Sequence, residues 1–170
     1  MSAALPSEEE VDAFAARLGE HLRQGGTLGE WMGAEKEDLE ALHAAAWLFY
    51  DRDDYETALR LYGLLLMANP YDRRFAIGMG MCKQMLKQYD DAIGYYANAL
   101  VMDFDDPLPT FHTAECLLQK GLRNEALQAL ELTISRAKAP EHKALLQKAT
   151  ELQHLLLASS RPQPPAGAVA

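Results

Sequence analysis

The chain contains the stretch YETALRLYGLLL at residues 55–66 and nearly repeats it 34 residues later as YDDAIGYYANAL at residues 89–100. A weaker third copy follows at Ala126, Leu127, Leu130 and Ile134. One small residue also recurs upstream of each copy at the same interval, as Ala46, Gly80 and Ala114. Small residues let two helices pack closely. Three copies at one fixed interval therefore indicate an array of repeated helix pairs.

An interval of 34 residues accommodates two helices of about 14 residues and two short turns, and it is the period of the tetratricopeptide repeat. We predict an all-α fold with three such helix-turn-helix repeats in a right-handed superhelix, an N-terminal helical segment and a C-terminal capping helix. The proline-rich end of the chain is predicted to be disordered. The predicted boundaries are an N-terminal segment at 1–36, repeats at 37–70, 71–104 and 105–138, a capping helix at 139–158 and a tail at 159–170.

The charge of the chain is uneven and excludes some classes of ligand. Residues 1–40 carry ten acidic and three basic side chains, out of a net charge of −9 for the whole chain. An acidic protein without a basic stripe is not expected to bind nucleic acid or an anionic membrane. The sequence has no apolar run of about 18 residues, as a membrane span would need, and it begins without a secretory signal pattern. We expect a cytoplasmic protein.

The N-terminal segment is predicted to contain an amphipathic helix from Glu8 to about Gln24. The residues on the apolar face of this helix are Val11, Phe14, Ala15, Leu18 and Leu22. A short segment from Thr27 through Trp31 to Gly33 follows and lies outside the repeats. Its apolar face must dock on the repeats or on another subunit, and the sequence leaves both alternatives open.

One face of the first helix in each repeat is more apolar than a solvated surface should be. In a superhelix of helix pairs this face lines the concave side. A continuous exposed apolar surface usually marks a binding site, and methionine and aromatic side chains suit a partly flexible ligand. We predict a groove for an extended peptide, with the alternative that these residues are core, covered by the N-terminal helix or by a dimer partner. The predicted groove residues are His43, Trp47, Tyr50, Ile77, Met81, Gln84, Met85, Phe111, Glu115 and Leu118.

The sequence offers little that would support catalysis. His112, Glu115 and Cys116 have helical spacing, but no fourth metal ligand accompanies them, so His112 is interpreted as a hydrogen-bonded packing residue. Cys82 and Cys116 occupy the same place in their repeats and are interpreted as buried thiols. No glycine-rich phosphate loop is present. We predict no enzymatic activity, no cofactor and no metal.

Two stretches, YDRRFAIGMGMCKQMLKQYDDAI at 71–93 and DPLPTFHTAECLLQKG at 106–121, resemble the class II type III secretion chaperones, the SycD/LcrH family. GGTL at 25–28 and DLEAL at 38–42 are similar to the N-terminal region of the same family. The resemblance covers residues 20–136 or so, and the FHTAECLLQKG run is more specific than a generic repeat signature.

The resemblance implies a bacterial cytoplasmic chaperone, connected with virulence, that binds hydrophobic translocator proteins and keeps them soluble before secretion. It also implies that a proline- and leucine-containing translocator segment enters the concave groove. Tyr50 and Trp47 match the family's groove aromatics, whereas His43 replaces a tyrosine. The family's N-terminal helix suggests residues 8–32 as a homodimer contact.

Two other binding functions compete with this interpretation. A generic tetratricopeptide scaffold would dock one folded partner. A co-chaperone of the heat-shock type would grip a carboxylate with lysine, arginine and asparagine, but the chain has His43, Trp47, Ile77 and Met81 at those places. The clients, the bound register, the oligomeric state and any role in gene regulation are left open by the sequence.

Overall fold

The computed structural model describes residues 7–159, and over these residues the secondary structure is helical with no strand. The prediction of an all-α fold is confirmed. A 3-10 turn at Pro140–His142 precedes the last helix, which therefore begins at Lys143, within the capping segment predicted at 139–158. The predicted tail at 159–170 lies outside the described residues except for Ser159, with which that helix ends. The helices are α1 (Glu8–Arg23), α2 (Leu28–Trp31), α3 (Lys36–Asp51), α4 (Tyr55–Ala68), α5 (Arg73–Met85), α6 (Tyr89–Met102), α7 (Pro107–Gln119), α8 (Arg123–Arg136) and α9 (Lys143–Ser159).

The chain divides into two compact units between Phe75 and Ala76, within α5. In the N-terminal unit, α3 packs against α4, α2 packs against α4, and α1 packs against α2. Small residues allow the close approach of α3 and α4, because Ala46 and Ala58 are both fully buried. The larger side chains of this core are Tyr62, Leu65 and Phe75.

The N-terminal segment is attached to the first repeat through α2. Gly29 lies so close to α4 that a Cβ atom on it would stand 3.0 Å from the backbone oxygen of Ala68. Thr27 and Glu30 form a reciprocal capping box at the start of α2, which satisfies two backbone N–H groups. The segment therefore docks on the chain's own repeats, which was one of the two predicted alternatives, while α1 contributes its own contact to α2.

In the C-terminal unit, α7 packs against both α6 and α8, and α9 packs against α8 and α7. The small residues predicted from the 34-residue interval are buried here too, at Ala92, Ala114 and Ala126. Gly80 is needed for its size, since a Cβ atom there would lie 2.5 Å from the ring of Tyr96. The interval in the sequence thus corresponds to places where helices touch.

The turn inside each repeat contains one residue with a left-handed backbone, at Asp53, Lys87 and Gly121. These three positions are again spaced by 34 residues. After α7 the backbone N–H of Gly121 bonds to Leu118 and that of Leu122 bonds to Leu117, at 2.9 Å each, which is a Schellman ending. Only the third turn uses glycine, the residue that adopts this conformation without strain.

Candidate functional site

Three of the predicted groove residues belong to α3 in the N-terminal unit. Trp47 is 50% exposed although it is the largest side chain on the helix. Its ring stacks on Tyr50 with centroids 5.5 Å apart, and Tyr50 meets Tyr55 of α4 edge to face at 5.4 Å. We call Trp47, Tyr50 and Tyr55 the aromatic row. It gives the N-terminal unit a partly exposed aromatic surface whose rings hold one another in place.

His43, the third predicted residue on α3, is half-buried. Its ring packs against Phe75 at 5.6 Å and against Tyr62 at 5.9 Å. Burial lowers the pKa of His43 below 6.5, and the positive charge of Arg74 lowers it further. The imidazole is therefore neutral at pH 7 and acts as an aromatic packing group.

An ionic cluster that sequence reasoning missed lies next to His43. The guanidinium of Arg74 donates to both carboxylate oxygens of Glu40, at 2.7 and 3.1 Å, and to Asp72 at 2.6 Å. The hydrogen bond from Arg74 holds the pKa of Glu40 below its usual value. Glu40 and Arg74 are 34 residues apart, so opposite charges at the repeat interval were the available signal. The cluster connects α3 to the start of α5, although exposed ion pairs stabilise a fold only slightly.

The other seven predicted residues lie on α5 and α7 in the C-terminal unit, and the structure separates them into two groups. Met85 is 45% exposed, and the remaining members of the accessible group are half-buried: Met81, Gln84, Glu115 and Leu118. Ile77 and Phe111 are buried, at 8% and 6% exposure. Phe111 packs in a cluster with Leu130 of α8 and Ala149 of α9, because the capping helix covers it. Phe111 is thus covered by α9, whereas the competing interpretation expected the N-terminal helix or a dimer partner, and the first group is the one that remains accessible.

A chain of hydrogen bonds that includes two members of the accessible group, Gln84 and Glu115, joins α5, α6 and α7. The Tyr96 hydroxyl donates to Gln84 Oε1 at 2.7 Å, and Gln84 Nε2 donates to Glu115 Oε2 at 3.1 Å. His112 Nδ1 lies 2.8 Å from the same Glu115 oxygen, and its ring stacks on Tyr96 at 5.3 Å. We call Tyr96, Gln84, Glu115 and His112 the polar network. The interpretation of His112 as a hydrogen-bonded packing residue is confirmed.

The charge state of Glu115 follows from this network. Burial by itself would raise the pKa of the carboxyl group, but the hydrogen bonds from His112 and Gln84 outweigh burial and hold the pKa below its usual value. Glu115 is therefore an ionised carboxylate at neutral pH. Such a group only accepts hydrogen bonds.

The thiols and carboxylates give no sign of reactive chemistry. Cys82 and Cys116 are fully buried, as predicted, and burial raises the pKa of each thiol to about 12. A thiol in that state is a poor nucleophile and a poor metal ligand at neutral pH.

Among residues 7–159, no three His, Cys, Asp or Glu side chains come together as metal ligands would. Over the same range, the helices are all too short or too polar to cross a membrane.

The surface of α1 carries a second apolar feature. Phe14 meets Trp31 of α2 edge to face at 5.8 Å, which ties α1 to α2. Val11, Phe14 and Leu22 nevertheless remain about half exposed on one face of α1. This face is a candidate for self-association.

Comparison with known proteins identifies relatives along most of the chain. Residues 39–72 and 83–106 match the tetratricopeptide repeat family. Low calcium response locus protein H of Yersinia pseudotuberculosis is 37% identical over 144 residues, which is 84% of this chain and 86% of that protein.

Two solved structures of the Yersinia enterocolitica translocator chaperone SycD are also similar, each 36% identical and covering 75% of this chain and 98% of theirs. One is a complex with a peptide of the translocator YopD, with a TM-score of 0.70. The other is described as an alternative dimer, with a TM-score of 0.72. Since the similarity is this high along most of both chains, the protein belongs to the SycD/LcrH family of type III secretion translocator chaperones.

Proposed function

We propose that this chain binds an extended segment of hydrophobic type III secretion translocators in the bacterial cytoplasm and keeps those proteins soluble until secretion. The proposed contact surface of the N-terminal unit is the aromatic row, and that of the C-terminal unit, taken by itself, is the accessible group on α5 and α7. The observation that carries the proposal is Trp47, an aromatic side chain left half exposed on a packed helix. SycD, a 36% identical relative, was solved with a translocator peptide.

The accessible side chains suit apolar peptide residues. Trp47 and Tyr50 present flat ring surfaces, while Met81 and Met85 are flexible and adapt to different shapes. Burying a leucine-sized side chain against them contributes about 1.5–3 kcal/mol, before the cost of ordering the peptide. Such binding needs no chemical step, so we propose a protein without enzymatic activity.

We also propose that the chain self-associates through the exposed face of α1. Val11 and Leu22 lie on that face together with Phe14, and SycD has been observed as a dimer. The homodimer contact predicted at residues 8–32 would then be formed mainly by α1, because α2 is already engaged with α4.

Co-expression tests the proposed function. The chain and a hydrophobic translocator of the same bacterium are produced together, and the soluble fraction of the translocator is measured with and without the chain. We expect the chain to raise the soluble fraction and the variant Trp47→Ala to raise it less. A generic docking scaffold, the competing interpretation, would leave the soluble fraction unchanged, and that result would contradict the proposal.

A further inference from the structure

Glu115 is held as a fixed hydrogen-bond acceptor at an accessible position. Both of its hydrogen bonds within the polar network, from His112 at 2.8 Å and from Gln84 at 3.1 Å, arrive at Oε2. Neither of them engages Oε1. The side chain keeps 35% of its surface exposed, so a ligand can reach it.

The direction of donation in the polar network is set by Glu115, because an ionised carboxylate only accepts hydrogen bonds. Gln84 therefore turns its NH₂ group toward Glu115. Its carbonyl oxygen then accepts from the hydroxyl of Tyr96, whose ring is fully buried. The carbonyl oxygen and an amide hydrogen of Gln84 are both in use, so Gln84 is not the acceptor that a ligand would find here.

The surroundings of Glu115 create a need for such an acceptor. Met81 lies one turn before Gln84 on α5, and Leu118 lies one turn after Glu115 on α7. A peptide resting on these apolar side chains loses water from its main chain. A peptide N–H that is removed from water without a partner costs about 1–3 kcal/mol.

We propose that Glu115 accepts a hydrogen bond from a main-chain N–H of the client segment and thereby fixes the register of that segment. This inference rests on the proposed function, since the client must lie on the C-terminal unit. Successive N–H groups of an extended chain point in opposite directions, so a single fixed acceptor selects between registers. The methionines alone do not select a register, because their flexible side chains can pack against the peptide in several registers.

The experiment measures how the full chain binds a fluorescein-labelled peptide of YopD, the translocator whose peptide was solved with SycD. A series of peptides carries a methyl group on one main-chain nitrogen at a time, which removes one N–H. We expect one position to weaken binding about tenfold with the unsubstituted chain, the size expected for a charge-assisted hydrogen bond. With Glu115→Ala, methylation at that position should cause no further loss.

Substitutions separate the main-chain donor from a basic side chain. Glu115→Ala should weaken binding about tenfold, whereas Glu115→Gln, which keeps an acceptor oxygen, should weaken it less than about threefold. Added salt should not change the loss of affinity caused by either substitution. Glu131→Gln is the matched control, because Glu131 is an exposed carboxylate on α8, and it should bind like the unsubstituted chain.

The possible failures are distinguishable. If the unsubstituted chain binds the peptide and neither Glu115→Ala nor any methylation matters, this inference is wrong and the proposed function survives. Equal losses for Glu115→Gln and Glu115→Ala, together with salt-sensitive binding, would replace the main-chain donor with a basic side chain. No binding by the unsubstituted chain would overturn the proposed function and this inference together. If Glu115→Ala lowers the melting temperature of the protein too far for binding to be measured, the methylated peptides still test the inference with the unsubstituted chain.

Discussion

Trp47 combines large size with half exposure on a helix that packs against α4. Stacking on Tyr50 explains how the ring keeps a fixed orientation without being buried. An anchor that is ordered before binding loses little conformational entropy when a ligand arrives. At the scale of single residues, we therefore expect Trp47 to be a main anchor for a bound peptide.

Substituting Trp47 with alanine should therefore weaken peptide binding more than the same substitution at any other exposed residue of α3. We expect Trp47→Ala to cost about 2 kcal/mol, or about thirtyfold in affinity for the YopD peptide, as for interface hot spots. Combining it with Met81→Glu should abolish binding, while the helical circular dichroism stays almost unchanged.

The matched control for Trp47 is Met67→Ala, since Met67 is also exposed in the N-terminal unit but lies on α4. Met67→Ala should bind the peptide normally. Loss of helical signal in Trp47→Ala would instead show that the tryptophan is part of the core.

His43 should make the stability of the protein depend on pH near neutrality. Burial and the charge of Arg74 lower its pKa in the folded state, whereas the unfolded chain has a value of about 6.5. As the pH falls below 6.5, the unfolded state therefore binds a proton that the folded state refuses, and the free energy of unfolding decreases. The carboxylates of Glu40 and Asp72, whose pKa values are also lowered, titrate below this window.

Urea unfolding at pH 7.5, 6.5 and 5.5 measures this contribution. His43→Phe keeps an aromatic ring against Phe75 and Tyr62, and we expect it to lose part of the decrease on acidification. If the variant and the unsubstituted chain change in parallel, His43 is not the group responsible.

The helices of this protein follow from the sequence where small residues mark helix contacts, as at Ala46 and Ala114. The turns between them were less predictable. Asp53 and Lys87 adopt left-handed backbones although neither is glycine, so the residue type at these positions did not predict the turn conformation. Residue type also did not indicate that Ile77 and Phe111 would be buried. Their positions match His43 in the repeat interval, but burial depends on neighbours, and α9 covers Phe111.

Glycine substitutions test the geometry of these elements. Gly121 has φ of +77°, so Gly121→Ala should lower the free energy of unfolding by about 1 kcal/mol. Gly94→Ala is the matched opposite, because Gly94 is an exposed position within α6 with no atom near its missing Cβ. It should raise the free energy of unfolding by about 0.5–1 kcal/mol. Thermal or urea unfolding of both variants measures the difference, and equal effects would contradict the assigned turn.

At the scale of the whole molecule, the family and its function were easier to predict from the sequence than the arrangement of side chains at the candidate site. The repeat interval and the FHTAECLLQKG run pointed to a translocator chaperone, and the relatives confirm that family. The polar network could not be read from the sequence, because a hydrogen bond between residues of different helices depends on side-chain rotamers. The ten predicted groove residues stay a prediction until a ligand is located on them.

Self-association also belongs to this scale. Replacing Val11 and Leu22 with lysine places charge on the exposed apolar face of α1, and we expect the sedimentation mass to fall from that of a dimer to that of a monomer. Ala13→Lys changes the other side of the same helix and should leave the mass unchanged. An unchanged mass in the double variant would remove α1 from the interface.

The central claim is that another polypeptide covers the aromatic row, and a crystal structure of the chain with the YopD peptide tests it most directly. The account predicts that the peptide packs on Trp47 and Tyr50, so that Trp47 loses most of its present exposure. A peptide bound elsewhere, with Trp47 still open to solvent or covered by α1 of the same chain, would contradict it.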